Sequence, residues 1–514
     1  MLKRARIAVV GVAALFAFAA QAHAATVYEV KGDRLVRTND PNVPTADGLP
    51  SPAGRCTPPA TSPLPAAVHG AAAKTVRGSV RRAFLDGRIT REQNDQWRHD
   101  YMDARSARKR LSGLRRSELG AVISTLERIA ARGQLTSGRM PILFLQLEHN
   151  TDFWSHKPIP PAGVIHPDPC AQAFAKKSAP TRISFPGSQL IWQWYPGNGL
   201  QIQPLANFGK ANGMWTACDG PPNPKHPCEA DKLRQLLDEL VAAGARRGTF
   251  TAWEYYFPFS GGSPPWISGL TTGTAIQALA RGTKLFGDPK YLNTARDALG
   301  AFDTSPPTGV LRQVEGGSRY LEYSFAPNLF IVNGFLQGLI GLHDYAAIAQ
   351  DNHAEALYER GERVAARDVP RSDTGAWSLY SLGGAESDLN YHRLLRDFLN
   401  VMCTQTQKSV YCDTAKNFTQ DMLTHPKLSF AGPSVARRGR PTAVHFTLDK
   451  ISCVQVRITR GGKTAYFKRT SYGHGRRSVT WVPRAAGRYT VQLEAADLGN
   501  HHTRASGTIS VRSR

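Results

Sequence analysis

Glu322 and Tyr323 stand side by side in the stretch YLEYSFAPNLFIVNGFLQGLIGLHDY, residues 320–345, with Tyr320 just upstream. A carboxyl beside phenols is a set suited to moving protons. The carboxyl is an ordinary acid, and the phenol is a weak acid with a pKa near 10 whose anion is a strong base. Deprotonating a phenol at neutral pH costs about 4 kcal/mol, and a nearby Lys or Arg reduces that cost. On spacing alone the plainer reading is a packing corner, where each Tyr is a half-buried core residue with a partner for its hydroxyl. Behind the lip, Pro327 fits the first turn of a helix, where its missing N–H costs nothing. The run 329–342 is apolar on nearly every face, so that helix is expected to be buried on all sides. Asn333 interrupts the run; it could reach a site, and a buried helix contact explains it equally well.

The elements that would hold this lip come from a long chain. At 514 residues it can carry two to four domains. Residues 1–24 read as a signal peptide: Lys3, Arg4 and Arg6, an apolar stretch, then Ala22-His23-Ala24 as a cleavage site of bacterial form. The mature protein is therefore expected to be secreted or associated with the cell envelope of a bacterium, with no integral membrane segment. Residues 25–74 are Pro-rich with little periodicity and read as extended or partly disordered. Residues 75–180 are an N-terminal helical region and linker, with Ser117 expected to start one helix and Gly133 to stop it. Residues 181–231 alternate around Pro196-Gly197-Asn198-Gly199, a hairpin signal. Residues 232–427 read as successive helices, alternately buried and amphipathic, which suggests an (α/α) toroid. From 428 to 514 the period drops to two over six or seven short strands, an immunoglobulin-like β-sandwich. The fold class is thus mainly α, with a small β-hairpin region and a C-terminal sandwich. Gly462-Lys463-Thr464 resembles the end of a phosphate loop but lacks the first Gly, since position 457 is Arg, and it reads as a turn.

The formal net charge is +24, of which the signal segment carries only three basic residues. Such a surface favours polyanionic partners, and an Arg-rich composition alone would also produce it. No finger, basic helix or basic-aromatic signature points to nucleic acid. Seven cysteines in an exported chain invite disulfides. Cys218 with Cys228 and Cys403 with Cys412 each flank a short polar loop and read as local staples. Cys56 with Cys170 is a weaker third pairing, leaving Cys453 as a buried free thiol. No cysteine or histidine spacing suggests a metal.

The lip and helix closely resemble the C-terminal domain of D-glucuronyl C5-epimerases. The resemblance rests on Glu322-Tyr323, Pro327, Asn333-Gly334-Phe335 and Leu339-Ile340-Gly341-Leu342 with Asp344. It continues through Leu357-Tyr358-Glu359-Arg360-Gly361, Asp373-Thr374-Gly375, Tyr380 and the pair Tyr391-His392. Upstream it takes in Pro265-Trp266-Ile267-Ser268-Gly269 and the hairpin at Gln201-Ile202-Gln203. It spans about residues 190–423. The resemblance implies an (α/α) toroid and makes Glu322, Tyr323, Tyr380 and Tyr391 the catalytic candidates, with Asn333, Tyr320, Trp266 and His392 as substrate-binding candidates. Trp253, Tyr255 and Tyr256 could stack on sugar faces or fill the core. Two features depart from the animal enzymes. Only a short Cys-Pro loop replaces their β-barrel between hairpin and helices, and Gly383 stands where they carry an Arg.

C5 epimerisation of a uronate removes a proton next to a carboxylate and returns it from the other face. The site must neutralise or hydrogen-bond that carboxylate, and it needs proton-transferring groups on both faces of the ring. The expected arrangement sets Tyr391 against Glu322 or Tyr323, with Tyr380 as a hydrogen-bonding partner. His392, adjacent to Tyr391 on a helix, points elsewhere and is at most supporting. No cofactor is needed. The partner implied is an anionic uronic-acid-containing polysaccharide, and a homodimer is compatible with this reading. A polysaccharide lyase would share the same carbanion, and a non-catalytic secreted glycan-binding protein is the alternative of another class.

Overall fold

The computed structural model of the chain describes residues 25–44, 73–161, 170 and 181–513; the signal segment and Cys56 lie outside them. The first described residues differ from expectation. Strands β1 (Ala25–Lys31) and β2 (Arg34–Asp40) form a hairpin, and β1 pairs in parallel with β3 (Arg182–Ser184). With β4 (Ile191–Tyr195) and β5 (Gly199–Ile202) they complete a five-stranded sheet, ordered β2-β1-β3-β4-β5. The hairpin itself is local, turning at Gly32, but the sheet it joins lies far along the chain, beyond the reach of local periodicity.

Four helices follow the hairpin: α1 (Val76–Leu85), α2 (Arg91–Arg110), α3 (Gly113–Ala131) and α4 (Met140–His156). A capping box between Thr90 and Gln93 starts α2. Helix α3 begins after Ser112, so Ser117 lies inside it rather than capping it. Gly133 does follow its end, in the left-handed conformation at φ 68°. The β4–β5 hairpin turns where expected, but the alternation does not continue beyond it. Gln203 instead caps a helix, α5 (Pro204–Asp219), by accepting from Ala206 N–H at 3.0 Å, and Pro204 sits in its first turn. Phe208, Ala211 and Met214 are its buried residues at helical spacing.

Helix α6 (Ala230–Ala242) leads to a short hairpin, β6 (Ala245–Arg247) and β7 (Phe250–Ala252). Then come α7 (Gly269–Phe286), α8 (Pro289–Ala298), the hairpin β8 (Leu311–Val314) and β9 (Gly317–Tyr320), and α9 (Val332–Ala349). The helices α10 (Asn352–Asp368), α11 (Leu389–Thr406) and α12 (Ser409–Asp421) complete this part. In it α5, α7, α9 and α11 pack side by side, while α6, α8, α10 and α12 each back one of them. Helix α9 is buried continuously from Val332 to Leu342, as its all-round apolar character requires. It meets α7 at glycine: a Cβ on Gly273 would lie 2.6 Å from Gly338 Cα. Bulkier residues there would force the two helices apart.

Pro327 does not start α9. The residues before Val332 form a loop whose Phe330 carbonyl accepts from Leu382 N–H at 3.0 Å, while Ile331 bridges to Ser381. That tertiary pairing removes the backbone groups a helix start would need.

From Leu428 the chain is all strand: β10 (Leu428–Phe430), β11 (Val435–Arg437), β12 (Thr442–Leu448), β13 (Ser452–Arg460), β14 (Lys463–Tyr472), β15 (Gly475–Trp481), β16 (Gly487–Asp497) and β17 (His502–Arg512). They make two sheets, β10-β12-β15 and β11-β17-β16-β13-β14. Val444, Phe446, Val456, Val479 and Leu493 fill the space between. Lys463 and Thr464 simply open β14 after a two-glycine turn.

Disulfides Cys218–Cys228 and Cys403–Cys412 form as the spacing suggests. The third corrects both remaining expectations: Cys453 is not a free thiol, and Cys170 pairs with it rather than with Cys56. Side chains alternate across a strand. Val454 and Val456 enter the sandwich core, so Cys453 faces outward and meets Cys170. Three disulfides fit an oxidising compartment. Among the described residues no helix is long and apolar enough to cross a membrane.

Candidate functional site

The lip is held in register by the residues that start α7. Gly269 N–H donates to Leu321 O at 2.9 Å, Ser324 N–H to Ile267 O at 3.0 Å, and Ile267 N–H to Ser324 Oγ at 3.1 Å. Alternation along this extended backbone sends neighbouring side chains to different surroundings. Tyr320 enters the main core. Its ring meets Phe302 and Phe335, and its hydroxyl donates to Leu357 O at 2.7 Å. It is a core residue, and the substrate-binding role expected of it is not what its contacts provide.

Glu322 is 1% exposed. Its Oε1 accepts from Ser268 Oγ at 3.3 Å, while Oε2 is buried with no hydrogen-bond partner. That oxygen presses against the first turn of α9: a Cβ on Gly334 would lie 1.8 Å from it. Only glycine leaves room for the carboxyl. Burial pushes the Glu322 carboxyl up to about 8, with the Ser268 hydrogen bond opposing weakly. The carboxyl also lies beside the N-terminal ends of α7 and α9, but its hydrogen bond comes from the Ser268 hydroxyl and no helix N–H reaches Oε2. Desolvation wins, so the group is a neutral acid at pH 7.

Tyr323 lies in an aromatic cluster with Tyr255, Phe257, Trp266, Phe325 and Tyr380, bordered by Tyr195 and Tyr391. Its ring meets Trp266 edge-on at 5.7 Å and stacks on Phe325 at 5.2 Å. Tyr380 reaches the same place from a hairpin in which its N–H donates to Ala385 O at 2.9 Å. Its buried hydroxyl interacts with that of Tyr323. Burial first, then the neighbouring phenols and Glu322, pushes both hydroxyls well above 10. Tyr391 packs edge-on to Tyr380 at 5.3 Å. It sits in the first turn of α11, where Asp388 accepts from its N–H at 2.9 Å. Half-buried, it is more accessible than Tyr323 or Tyr380. The four catalytic candidates, dispersed over seventy positions of sequence, thus share one cluster.

Trp266 forms the wall behind them. It is 1% exposed, stacks on Tyr255 at 4.2 Å and donates Nε1–H to Phe257 O at 2.8 Å, so it is spent on packing rather than offered to a sugar. His392 turns away from the cluster. It lies flat on Trp377 at 3.7 Å, with Nδ1 2.9 Å from Ser378 Oγ and Nε2 2.9 Å from Phe418 O. Burial lowers its pKa to about 4, so it is a neutral structural residue and not a substrate ligand. Asn333 accepts from Gly334 N–H at 2.8 Å, and its Nδ2 is buried without a partner.

Tyr195 is an addition, and Tyr255, expected to stack on a sugar face or fill the core, also borders the carboxyl. The Tyr255 hydroxyl shares a 2.7 Å hydrogen bond with Thr271 and interacts electrostatically with Glu322 and Tyr195. Tyr195 stacks on Phe257 at 4.3 Å. The signal for Tyr195 was its place at the hairpin turn. For Tyr255 it was the alternation of 254–257, which sends Tyr255 and Phe257 into this cluster and Glu254 and Tyr256 the other way. Glu254 is gripped there by Arg139, at 2.6 and 2.8 Å, by Arg247, and by the Tyr256 hydroxyl at 3.0 Å.

Residues 247–420 match the family model for the D-glucuronyl C5-epimerase C-terminus. That segment contains Glu322, Tyr323, Tyr380 and Tyr391; Tyr195 and the C-terminal sandwich lie outside it. A D-glucuronyl C5-epimerase of Caenorhabditis elegans is 35% identical over 132 residues, which is 23% of this chain and 21% of the nematode protein. An uncharacterised protein of Methanocaldococcus jannaschii is 26% identical over 199 residues, 37% of this chain and 63% of its own. The chain thus spans about a fifth of the nematode enzyme and under two thirds of the archaeal protein. Among solved structures, cellobiose 2-epimerase of Bacillus thermoamylovorans aligns over 55% of this chain and 71% of its own, with 8% identity. The TM-score of 0.34 is too low to carry an argument.

Proposed function

We propose that the chain is a uronate C5-epimerase that acts on glucuronate residues of an acidic polysaccharide, secreted or held at the cell envelope. The observation that carries this reading is the convergence of one neutral, buried carboxyl with the phenols Tyr323, Tyr380 and Tyr391. Glu322, protonated below about 8, can donate a hydrogen bond to the substrate carboxylate. Such a bond offsets the second negative charge that develops as the C5 proton leaves. Tyr391 and either Glu322 or Tyr323 would exchange protons with opposite faces of C5, one accepting and one donating, with Tyr380 holding the hydrogen-bonded partner. A phenol that is to accept the C5 proton must first release its own proton to water, which costs about 4 kcal/mol at pH 7. The strongly basic chain supports an anionic polymer as substrate. The paired rows of helices support an (α/α) toroid, and the two C-terminal sheets support an immunoglobulin-like sandwich.

The test is incubation of the protein with uronic-acid polymers in deuterated water, read by NMR at C5. Deuterium at C5 with the chain uncut is the expected result. An unsaturated, UV-absorbing uronate would convert the reading to a lyase. No exchange on any uronan would favour a glycan-binding protein, and exchange that survives Tyr323→Phe, Tyr380→Phe and Tyr391→Phe would remove those phenols from the proton transfer.

A further inference from the structure

The hairpin that carries Tyr380 and leads to Tyr391 is held by residues outside the epimerase match. In that hairpin Leu379 pairs with Glu386, directly beside the Tyr380–Ala385 pair. Glu386 is 4% exposed, and its carboxylate leaves the helical part of the chain altogether. Oε1 accepts from Ile451 N–H at 2.8 Å, and Oε2 accepts from His474 N–H at 2.7 Å. Ile451 precedes β13 and His474 precedes β15, so both donors belong to the sandwich. A Cβ on Gly473 would approach Oε2 to 3.0 Å, so the turn closes tightly on the carboxylate. Next to this clasp, Lys450 is 1% exposed; its Nζ donates to Asp421 O at the end of α12 at 2.8 Å and lies 2.8 Å from Asp497. A removable binding module on a spacer has no need for buried charge at its junction, because desolvating a carboxylate and an ammonium is expensive unless both are fully bonded. Here both are bonded: the carboxylate ties the loop that presents Tyr380 to the sandwich, and the ammonium ties the end of α12 to it.

We propose that the C-terminal β-sandwich is a built-in positioning part of the site. Glu386 is the positioning residue through which it sets Tyr380 and, by their ring contact, Tyr391. The catalytic side of this inference rests on the epimerase reading, and its structural side rests on the clasp alone. Misplacing a reacting group by about 1 Å can cost about 10²-fold in rate.

The test uses full-length Glu386→Ala and Glu386→Gln, the second keeping one carbonyl acceptor. Backbone amide exchange is followed peptide by peptide, alongside kinetics of C5 exchange on a uronan. Glu386→Ala is expected to accelerate amide exchange across residues 378–391 by at least about 10-fold, with α7 and α9 unchanged, and to lower kcat by about 10²-fold with little change in KM. Glu386→Gln is expected to fall between Glu386→Ala and wild type on both readouts. A uniform rise in exchange over the whole chain would reduce Glu386 to an ordinary stability contact and overturn the proposal. Unchanged exchange at 378–391, or local loosening with unaltered kcat, would overturn it as well. If the wild type shows no C5 exchange on any uronan, the epimerase reading fails by itself. The amide measurement then still decides whether the sandwich positions the loop.

Discussion

Glu254 and Glu322 are both sealed from solvent, at 4% and 1% exposure, yet their carboxyls are driven in opposite directions. Burial pushes Glu254 up, but the Arg139 and Arg247 guanidiniums override it and hold the carboxyl at about 2. Burial pushes Glu322 up to about 8, and no cation answers it. The first is part of the frame: it ties α4's leading residue, the β6–β7 hairpin and the segment 253–257 into one block behind the aromatic cluster. The second is part of the cluster itself. A carboxyl that only had to hold structure would be paired. One left neutral, with a free oxygen against a bare glycine, destabilises the ionised protein and keeps a proton available at pH 7. Their effects on stability run in opposite senses with pH. Glu254, with its folded pKa below the ordinary 4.5, contributes stability that is present above 4.5 and lost as pH falls toward 2. Glu322, with its folded pKa above 4.5, contributes most below 4.5. That contribution declines as pH rises to about 8, because the unfolded chain ionises first.

The largest effect is expected from breaking the frame. Glu254→Gln leaves two guanidiniums buried without a counter-charge, and removing one partner of such a group typically costs about 3–5 kcal/mol. Denaturant unfolding at pH 7 should show that loss. A change below about 1 kcal/mol would mean that the arginines find water or other acceptors and that the two glutamates are not opposites.

The opposite sign is expected at the site. Glu322→Gln removes the titration while keeping the shape, and should raise stability at pH 8 by about 1–2 kcal/mol, less than the full shift because the new amide lacks a partner. The gain should shrink toward pH 5, where the wild-type carboxyl is protonated in the fold at little cost. Melting temperatures of the two proteins at pH 5 and pH 8 measure this directly. Exchange at C5 should fall by about 10²–10⁴-fold, the usual contribution of a positioned acid or base. A variant that is less stable at pH 8 than the wild type would place a hidden donor on Glu322.

The same comparison explains what could be read from the sequence. The helices, the hairpin at Pro196–Gly199 and the C-terminal strands announce themselves by local period and turn residues. So does the all-round burial of α9. Glu322, Tyr323, Tyr380 and Tyr391 could be singled out together only through motif resemblance. Nothing local tells a Tyr in an aromatic cluster from one such as Tyr320 that fills a core. What was not legible depends on distant partners. The β1–β2 hairpin finds its place in the sheet only through β3, Cys453 needs Cys170, and the start of α9 is delayed by Ser381 and Leu382. Glu254 looked unremarkable because one of its two arginines, Arg139, lies well over a hundred residues upstream. His392 seemed adjacent to the chemistry along the chain, but a helix turns neighbouring side chains about 100° apart.

The smallest effect concerns a side chain between the two extremes. Asn333 is buried, half satisfied by the N–H of its own helix neighbour, with Nδ2 unpaired. Replacing it by Ala removes one modest hydrogen bond and one unsatisfied donor, and the two changes nearly cancel. Stability should therefore move by no more than about 0.5 kcal/mol. If the unpaired amide holds the polymer, KM for the uronan should rise by about 3–10-fold with kcat nearly unchanged, the signature of lost ground-state binding. Steady-state kinetics at fixed pH distinguish the outcomes. A rise in KM alone would separate substrate binding at Asn333 from proton transfer at Glu322. A kcat loss as deep as that of Glu322→Gln would instead make the amide, Gly334 and the carboxyl one catalytic unit at the head of α9.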